Sequence, residues 1–359
     1  MATRSSGIAG IVTATAAGIA LLYFLQDILI PLVLAIVLAV LVDALVRFIG
    51  ARSRGAPHWA VVTLVAVIVI ACAVAVALIV GQGLAQIVGK APDLVVRLEQ
   101  IVRELGRAVG LARTLHFTAL LGEINLPRLA GSVAGGFGEL LSGILLTITY
   151  FAFLVGGQQR FEQRLSSVNR SIGGAAPAKD AIDRAAANIE IYVWVQTVTG
   201  VMIAAPAALV MFGVGLENAL FWTIVLFLLS YIPMIGVTVG SILPALFALL
   251  QFPSWWQAAV VFGGIQIAAF VVGNFVYPRM QAESQNIDPV ATLLSLAFWG
   301  WLWGITGAFL AVPLTLMVMM ICAGFPRTRW LAILLSNDGD PDFSMKRRTD
   351  GNDGGGKRE

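Results

Sequence analysis

Charge is scarce in this sequence: Asp, Glu, Lys and Arg together make up 12% of its 359 residues, while hydrophobic side chains make up 58%. With a mean hydropathy of +0.88, that balance excludes an ordinary soluble domain and reads as an integral membrane protein. Histidine and cysteine are nearly missing, with two of each. Cys72 and Cys322 stand alone in apolar surroundings, without a CxxC pair or a nearby His. Small buried hydrophobes are expected there, and neither a disulfide framework nor a metal site. His58 and His116 fall in separate polar segments, no Ser or Cys has a base beside it, and no GxxxxGK[ST] motif occurs. An ATP-driven pump, a zinc enzyme and an intramembrane hydrolase are therefore disfavoured, and neither enzymatic activity nor a cofactor is expected. The net charge is only +3. Its basic residues lie mainly between apolar runs, where they report membrane orientation and imply no nucleic-acid partner.

Apolar sequence in long runs is what the chain has in abundance. The runs cover 7–26, 28–49, 59–80, 129–155, 191–214, 217–250, 255–276 and 290–323. One crossing per run predicts an all-α polytopic membrane protein with about eight transmembrane segments. The first run lacks a persuasive small-x-small cleavage site before the next apolar run begins, and it reads as a retained span, not a signal peptide. The organisation expected is N-terminal transmembrane helices over 1–81, an insert over 82–128, a transmembrane helix over 129–155, a connection over 156–190, a C-terminal transport region over 191–323, and a polar, disordered tail over 324–359. Most of the 23 Lys and Arg fall on one side of that plan. The positive-inside rule then makes both termini cytoplasmic and the insert extracytoplasmic. Within the insert, Pro92 opens a helix whose Leu94, Val95, Leu98, Ile101, Val102 and Leu105 recur at helical spacing. That amphipathic helix can lie on the membrane, pack on another subunit or pack on its own chain.

Two runs are too long for one crossing. Residues 217–250 as a straight helix would measure roughly 50 Å at about 1.5 Å per residue, against a hydrocarbon core of about 30 Å. The stretch "YIPMIGVTVGSILPAL" inside it carries Pro233 and Pro244, which remove backbone donors, and Gly236 and Gly240, which tolerate tight geometry. A break is predicted near 233–240. Residues 290–323 are similarly punctuated in "FWGWLWGITGAFLAVPL" by Gly300, Gly304, Gly307 and Pro313. Each run can span once with a kink or turn back as a re-entrant hairpin, and hairpins in both would leave six crossings and move Arg279 to the cytoplasmic side. Backbone freed from a helix is tolerated at membrane depth only against protein or a watery cavity, so paired interruptions point to a transport path. Prolines that merely kink and glycines that merely permit close packing are the alternative.

"FLLSYIPMIGVTVGSILPALFALL", followed by "VVGNFVYPRMQAESQNIDPVATLLSLAFWGWLWGITGAFLAVPL", resembles the signature region of the autoinducer-2 exporter family. The resemblance is most specific over 217–320, in Pro233-x-x-Gly236, in Asn274-x-x-x-Pro278, and in Gly304-x-x-Gly307 with the later Val312-Pro313. It implies a polytopic inner-membrane transporter that exports a small polar signalling molecule, assembled as a homo-oligomer, a pentamer being one form. Some similar members are regarded as sodium/proton antiporters. This chain departs from the pattern in "RMQAESQNIDP", which is more acidic than expected, in Ser230 where Asn is common, and in Val237 where a second proline is common. A different solute or coupling ion is consistent with those departures.

The residues assigned to a substrate pathway or hinge are Pro233, Gly236, Gly240, Pro244, Gln266, Asn274, Pro278, Gly304, Gly307 and Pro313. Gln266 and Asn274 are expected to project from one helix face toward a solute, unless interhelical hydrogen bonds satisfy them. Asp43 and Asp288 are candidates for coupling to a proton or sodium ion. A local ion pair of Asp43 with Arg47 and a helix cap by Asp288 are the structural alternatives. The function expected is a secondary transporter of a small polar metabolite, with a cation/proton antiporter or a non-transport membrane scaffold as alternatives.

Overall fold

The computed structural model describes residues 2–50, 58–108, 141–157, 176–281, 287–326 and 328–337, with isolated positions between 131 and 139 and at 339. The insert beyond residue 108, most of the 156–190 connection, the acidic loop at 282–286 and the tail from 340 lie outside the described residues. Everything regular among the described residues is helical, with no strand. The helices are α1 (Ala2–Phe24), α2 (Gln26–Gly50), α3 (His58–Gly89), α4 (Ala91–Ala108), α5 (Leu141–Gly157), α6 (Ala176–Val214), α7 (Ala219–Leu229), α8 (Gly236–Gln251) and α9 (Trp256–Val271). A π-helical turn at Val272–Val276 leads from α9 into α10 (Tyr277–Gln281), and α11 (Pro289–Ala323) and α12 (Arg329–Leu335) complete the series.

Local chemistry places several of these ends. Asp288 is the N-cap of α11: its Oδ1 accepts from the Val290 and Ala291 amides at 2.8 and 3.1 Å, while Pro289 sits at the first position, where its missing donor costs nothing. In α2, Asp27 lies in the first turn and Arg47 in the last, each complementing the helix dipole. Stretches long and apolar enough to cross a membrane occur at Gln26–Arg47, Ala60–Gly89, Asp183–Val214, Trp256–Met280 and Pro289–Ala323. Shorter apolar helices cover Thr13–Phe24, Leu141–Gly157, Ala219–Leu229 and Gly236–Gln251.

The chain divides into two compact units. One comprises residues 67–142 and 196–278, and its core gathers Met211 of α6, Trp222 and Leu226 of α7, Phe247 of α8, and Val261 and Ile265 of α9. The other comprises residues 1–66, 143–195 and 279–359, and there Leu302, Leu310, Leu316, Met319 and Met320 of α11 are fully or almost fully buried.

Both long runs turn back on themselves. α7 and α8, of 11 and 16 residues, are about 16 and 24 Å long, each short of the bilayer core. They pack antiparallel. The Glu217 amide at the start of α7 donates to Gln251 Oε1 at the end of α8 (2.9 Å), and Gln251 Nε2 donates to the Gly215 carbonyl (3.1 Å). Halfway along, the Trp222 and Phe247 rings stand 5.4 Å apart. α11 likewise reverses at Trp303 (φ −125°, ψ 16°) and Gly304 (φ 63°, ψ −143°). Trp299 Nε1 consequently reaches Thr315 Oγ1 at 3.2 Å across a separation of 16 residues, a distance of about 24 Å in a straight helix. Of the two readings open for these runs, one crossing each or a turn back, the chain adopts the turn back in both. α7 with α8 is hairpin 1, and the two arms of α11 are hairpin 2.

Candidate functional site

Hairpin 1 turns over residues 230–235, and Pro233 stands within the turn. Its ring cannot extend α7, and the next residue, Met234, takes a left-handed conformation (φ 63°) that a side-chain-bearing residue adopts only where its surroundings impose it. Gly236 opens α8 against the last turn of α7; a Cβ there would lie 1.7 Å from the Leu229 carbonyl oxygen. Gly240, one turn on, meets Leu226, whose Cδ1 lies 2.7 Å from where a Cβ would be. Gly236 and Gly240 are both buried helical positions that let the arms touch, and Pro244, also buried, lies farther along the same arm.

α6 braces that turn. Gln196 Nε2 donates to the Ser230 carbonyl, and Thr197 Oγ1 bonds the Tyr231 hydroxyl at 2.7 Å. Gln196 is buried, and its Oε1 has no hydrogen-bond partner among the described residues; the same holds for Trp222 Nε1 and Gln257 Oε1. Sequence reasoning passed over Gln196 and Thr197. Their signal was a Gln-Thr pair interrupting the apolar "WVQTVTG", since a polar residue at membrane depth needs a partner.

An open cavity of about 600 Å³ lies between α8 and α9, lined by Val237, Thr238, Gly263, Gln266, Ile267, Ala269 and Phe270. It is predominantly apolar, with the Thr238 hydroxyl and the Gln266 amide as its polar side chains and no charged side chain in its lining, as small-molecule sites often are. Gln266 thus faces a cavity, but Asn274 does not share it. Asn274 sits exposed in the π-helical turn, where its Nδ2 donates to the Phe270 carbonyl at 2.8 Å. Widened turns of this kind recur at functional positions because they rotate the following helix out of register. Pro278 follows in α10, exposed.

In the other unit, hairpin 2 repeats the device of hairpin 1. A Cβ on Gly307 would lie 1.9 Å from the Trp299 carbonyl oxygen and 2.8 Å from Trp303 Cβ. Gly304 supplies the positive φ at the reversal, and Pro313 is buried in the second arm. Gly300 is looser, with Ala308 Cβ at 3.8 Å. Trp303 Nε1 donates to the Leu22 carbonyl at 3.1 Å, tying the turn to α1. At the open end the Asp288 amide donates to the Leu335 carbonyl (3.1 Å), closing α12 against the start of α11. Asp43 and Arg47 are 3.5 Å apart, one turn of α2 from each other, and the same guanidinium also pairs with Glu190 of α6. Two carboxylates thus share one cation. Asp43 and Asp288 both belong to this unit, and Gln266 and Asn274 to the other.

The amphipathic helix α4 packs on its own chain, at the open end of hairpin 1. Leu94 rests against the core, Lys90 pairs with Glu217, and Arg97 Nη2 donates to the Pro253 carbonyl at 2.8 Å.

Residues 12–326 match the family described as AI-2E family transporter. The chain is 27% identical over 325 residues to the AI-2 transport protein TqsA of Escherichia coli, covering 88% of this chain and 91% of that protein. It is 24% identical over 330 residues to a protein of Haemophilus influenzae (87% and 90% covered), and 28% identical over 320 residues to one of Mycobacterium tuberculosis (83% and 84% covered).

Proposed function

Since the chain belongs to the AI-2E transporter family, we propose that it exports a small, uncharged polar metabolite, and autoinducer-2 is the first solute to test. The protein is a multi-pass membrane transporter of small molecules. The observation that carries the finer reading is the pair of helical hairpins, each with arms locked at a glycine. Turns of this kind at membrane depth leave backbone groups that only protein or water can satisfy, and they are the usual seat of transport sites. The uncharged, mostly apolar cavity beside hairpin 1, with Thr238 and Gln266, favours a neutral solute over an ion. Pro233, Gly236, Gly240 and Pro244 shape its hairpin wall, Asn274 and Pro278 follow on α9 and α10, and Gly304, Gly307 and Pro313 shape the second hairpin. Transport on this reading proceeds by movement of the hairpins against the N-terminal helices.

The apolar stretch Trp256–Met280 is long enough to cross once, and both termini are assigned to the cytoplasmic side of a bacterial inner membrane. Arg279 then joins the basic cytoplasmic side. A homo-oligomer, a pentamer among its possible forms, and a role in quorum sensing belong to the same proposal. Sodium/proton antiport is the second reading, with Asp43 as its strongest residue because Asp43 and Glu190 flank a single guanidinium; Asp288 is the other acid in question.

The test is autoinducer-2 uptake by proteoliposomes of the purified protein, with and without a proton gradient. Uptake above that of empty vesicles, reduced about tenfold in Gln266→Leu and unchanged in Asp43→Asn, is expected. No uptake, combined with sodium-driven proton release that disappears in Asp43→Asn, would instead establish antiport.

A further inference from the structure

The turn of hairpin 1 is held from outside the hairpin, and the group that holds it is only half used. Gln196 is 5% exposed. Its Nε2 donates to the Ser230 main-chain carbonyl, and this contact fixes which end of the amide is oxygen, because a carbonyl cannot donate to a carbonyl. Oε1 is then left buried without a hydrogen-bond partner among the described residues. Hydroxyls close by in the chain are already engaged: Ser230 Oγ donates to the Phe227 carbonyl at 2.6 Å, and Thr199 Oγ1 to the Gln196 carbonyl at 3.3 Å. The helices are also too close to rearrange freely, since a Cβ on Gly200 would lie 2.6 Å from Ser230 Oγ. Buried acceptors are normally paired, and this one sits where α6 meets the turn.

We propose that Gln196 is a positioning and specificity-determining residue for transport, its Nε2 clasping the hairpin 1 turn through the Ser230 carbonyl and its Oε1 accepting an O–H or N–H group of the solute. The proposal rests on the transport reading for its solute half and on the hydrogen bond alone for its clasp half. A neutral donor fits better than a cation, because the polar groups that surround this contact (Ser230, Thr197, Thr199 and Tyr231) are all uncharged, and a buried cation would have no counter-charge there. A solute donor lodged at Oε1 pairs the atom the fold leaves unpaired, and so favours the closed turn. Binding and hairpin position are thereby coupled through one side chain.

A buried reporter tests both halves. In full-length protein lacking its native thiols (Cys72→Ser, Cys322→Ser) and reconstituted in vesicles, Ser230→Cys places a thiol at a position that is 5% exposed. The main-chain carbonyl bonded by Gln196 is retained. Modification of that thiol by N-ethylmaleimide is expected to speed up about tenfold in Gln196→Leu, which fills the space but cannot donate. In Gln196→Glu the rate relative to the Gln196 parent is expected to climb as pH rises, because a carboxyl donates only while protonated. Millimolar autoinducer-2 is expected to slow modification in the parent and to have no effect in Gln196→Leu. Rates unchanged in both variants, with melting temperatures near the parent's, overturn the clasp. Protection by sodium chloride over choline chloride, or by neither salt nor autoinducer-2, overturns the solute half. If the variants respond as expected while vesicles show no uptake, the clasp stands and the transport reading fails.

Discussion

A Cβ on Gly236 would come within 1.7 Å of the Leu229 carbonyl oxygen, and one on Gly307 within 1.9 Å of that of Trp299. The obstructing atoms are backbone, so no rotamer change relieves the clash, and the arms must separate. Gly236→Ala and Gly307→Ala are each expected to cost at least the ~1–3 kcal/mol typical of overpacking. Gly304→Ala has room but is strained by its positive φ, at about 1–3 kcal/mol. Gly300→Ala, with its nearest neighbour 3.8 Å away, is expected to change stability by under about 0.5 kcal/mol. Thermal melting in detergent, read for the four variants side by side, checks that order. Gly236→Leu is accordingly expected to disrupt the hairpin itself. At this scale the sequence was informative wherever one residue type has one reason to be present: Gly236, Gly304 and Gly307 mark the turns, and Asp288 before Pro289 marks a cap. Gln196 was not legible, because a glutamine in an apolar run looks the same whether it meets a neighbouring helix, a backbone carbonyl or a solute.

Elements were legible through a mismatch of lengths. Residues 217–250 and 290–323 exceed what a bilayer accommodates in one crossing, and their prolines and glycines show where they break. Hydropathy measures depth and carries no direction, so it could not separate a kinked span from a hairpin; that distinction lies in contacts such as Trp299 with Thr315 and Glu217 with Gln251. The π-helical turn was also illegible, since one widened turn leaves composition unchanged; Asn274 sits in it, outside the lining of the cavity that Gln266 faces. For α4 the periodicity gave the apolar face but not what covers it. Lys90 and Glu217 have side chains 48% and 44% exposed, so their pairing contributes at most about 1 kcal/mol. Arg97, bonded to main-chain carbonyls at 2.8 and 3.4 Å, is expected to matter more. Arg97→Ala should lower the melting temperature further than Lys90→Ala, and the exchange Lys90→Glu with Glu217→Lys should recover part of what either change alone loses.

At the scale of the whole molecule, two hairpins in place of two spans would leave six crossings and change which side the 279–289 connection occupies. A cysteine at Glu283 reads this directly. In sealed inside-out vesicles, Glu283→Cys in a background lacking Cys72 and Cys322 is expected to react with a membrane-impermeant maleimide, and in intact cells it is expected to stay protected. The opposite pattern would restore eight crossings. The class of molecule was evident from composition alone. Only Arg279 depends on the hairpins, because its side is decided by whether residues 217–250 cross.

The core that seats hairpin 1 has a consequence for how the protein is made. Trp222, Leu226 and Phe247 pack with Val261 and Ile265, which belong to α9 and leave the ribosome after both arms of the hairpin. Neither arm is long enough to settle across a bilayer unaided. A nascent chain that has reached residue 251 therefore carries two short apolar helices and an unsatisfied turn, without the neighbour that covers them. The hairpin is therefore expected to settle only once α9 has emerged to cover it, so that this half of the protein inserts as a group of three helices and not one span at a time.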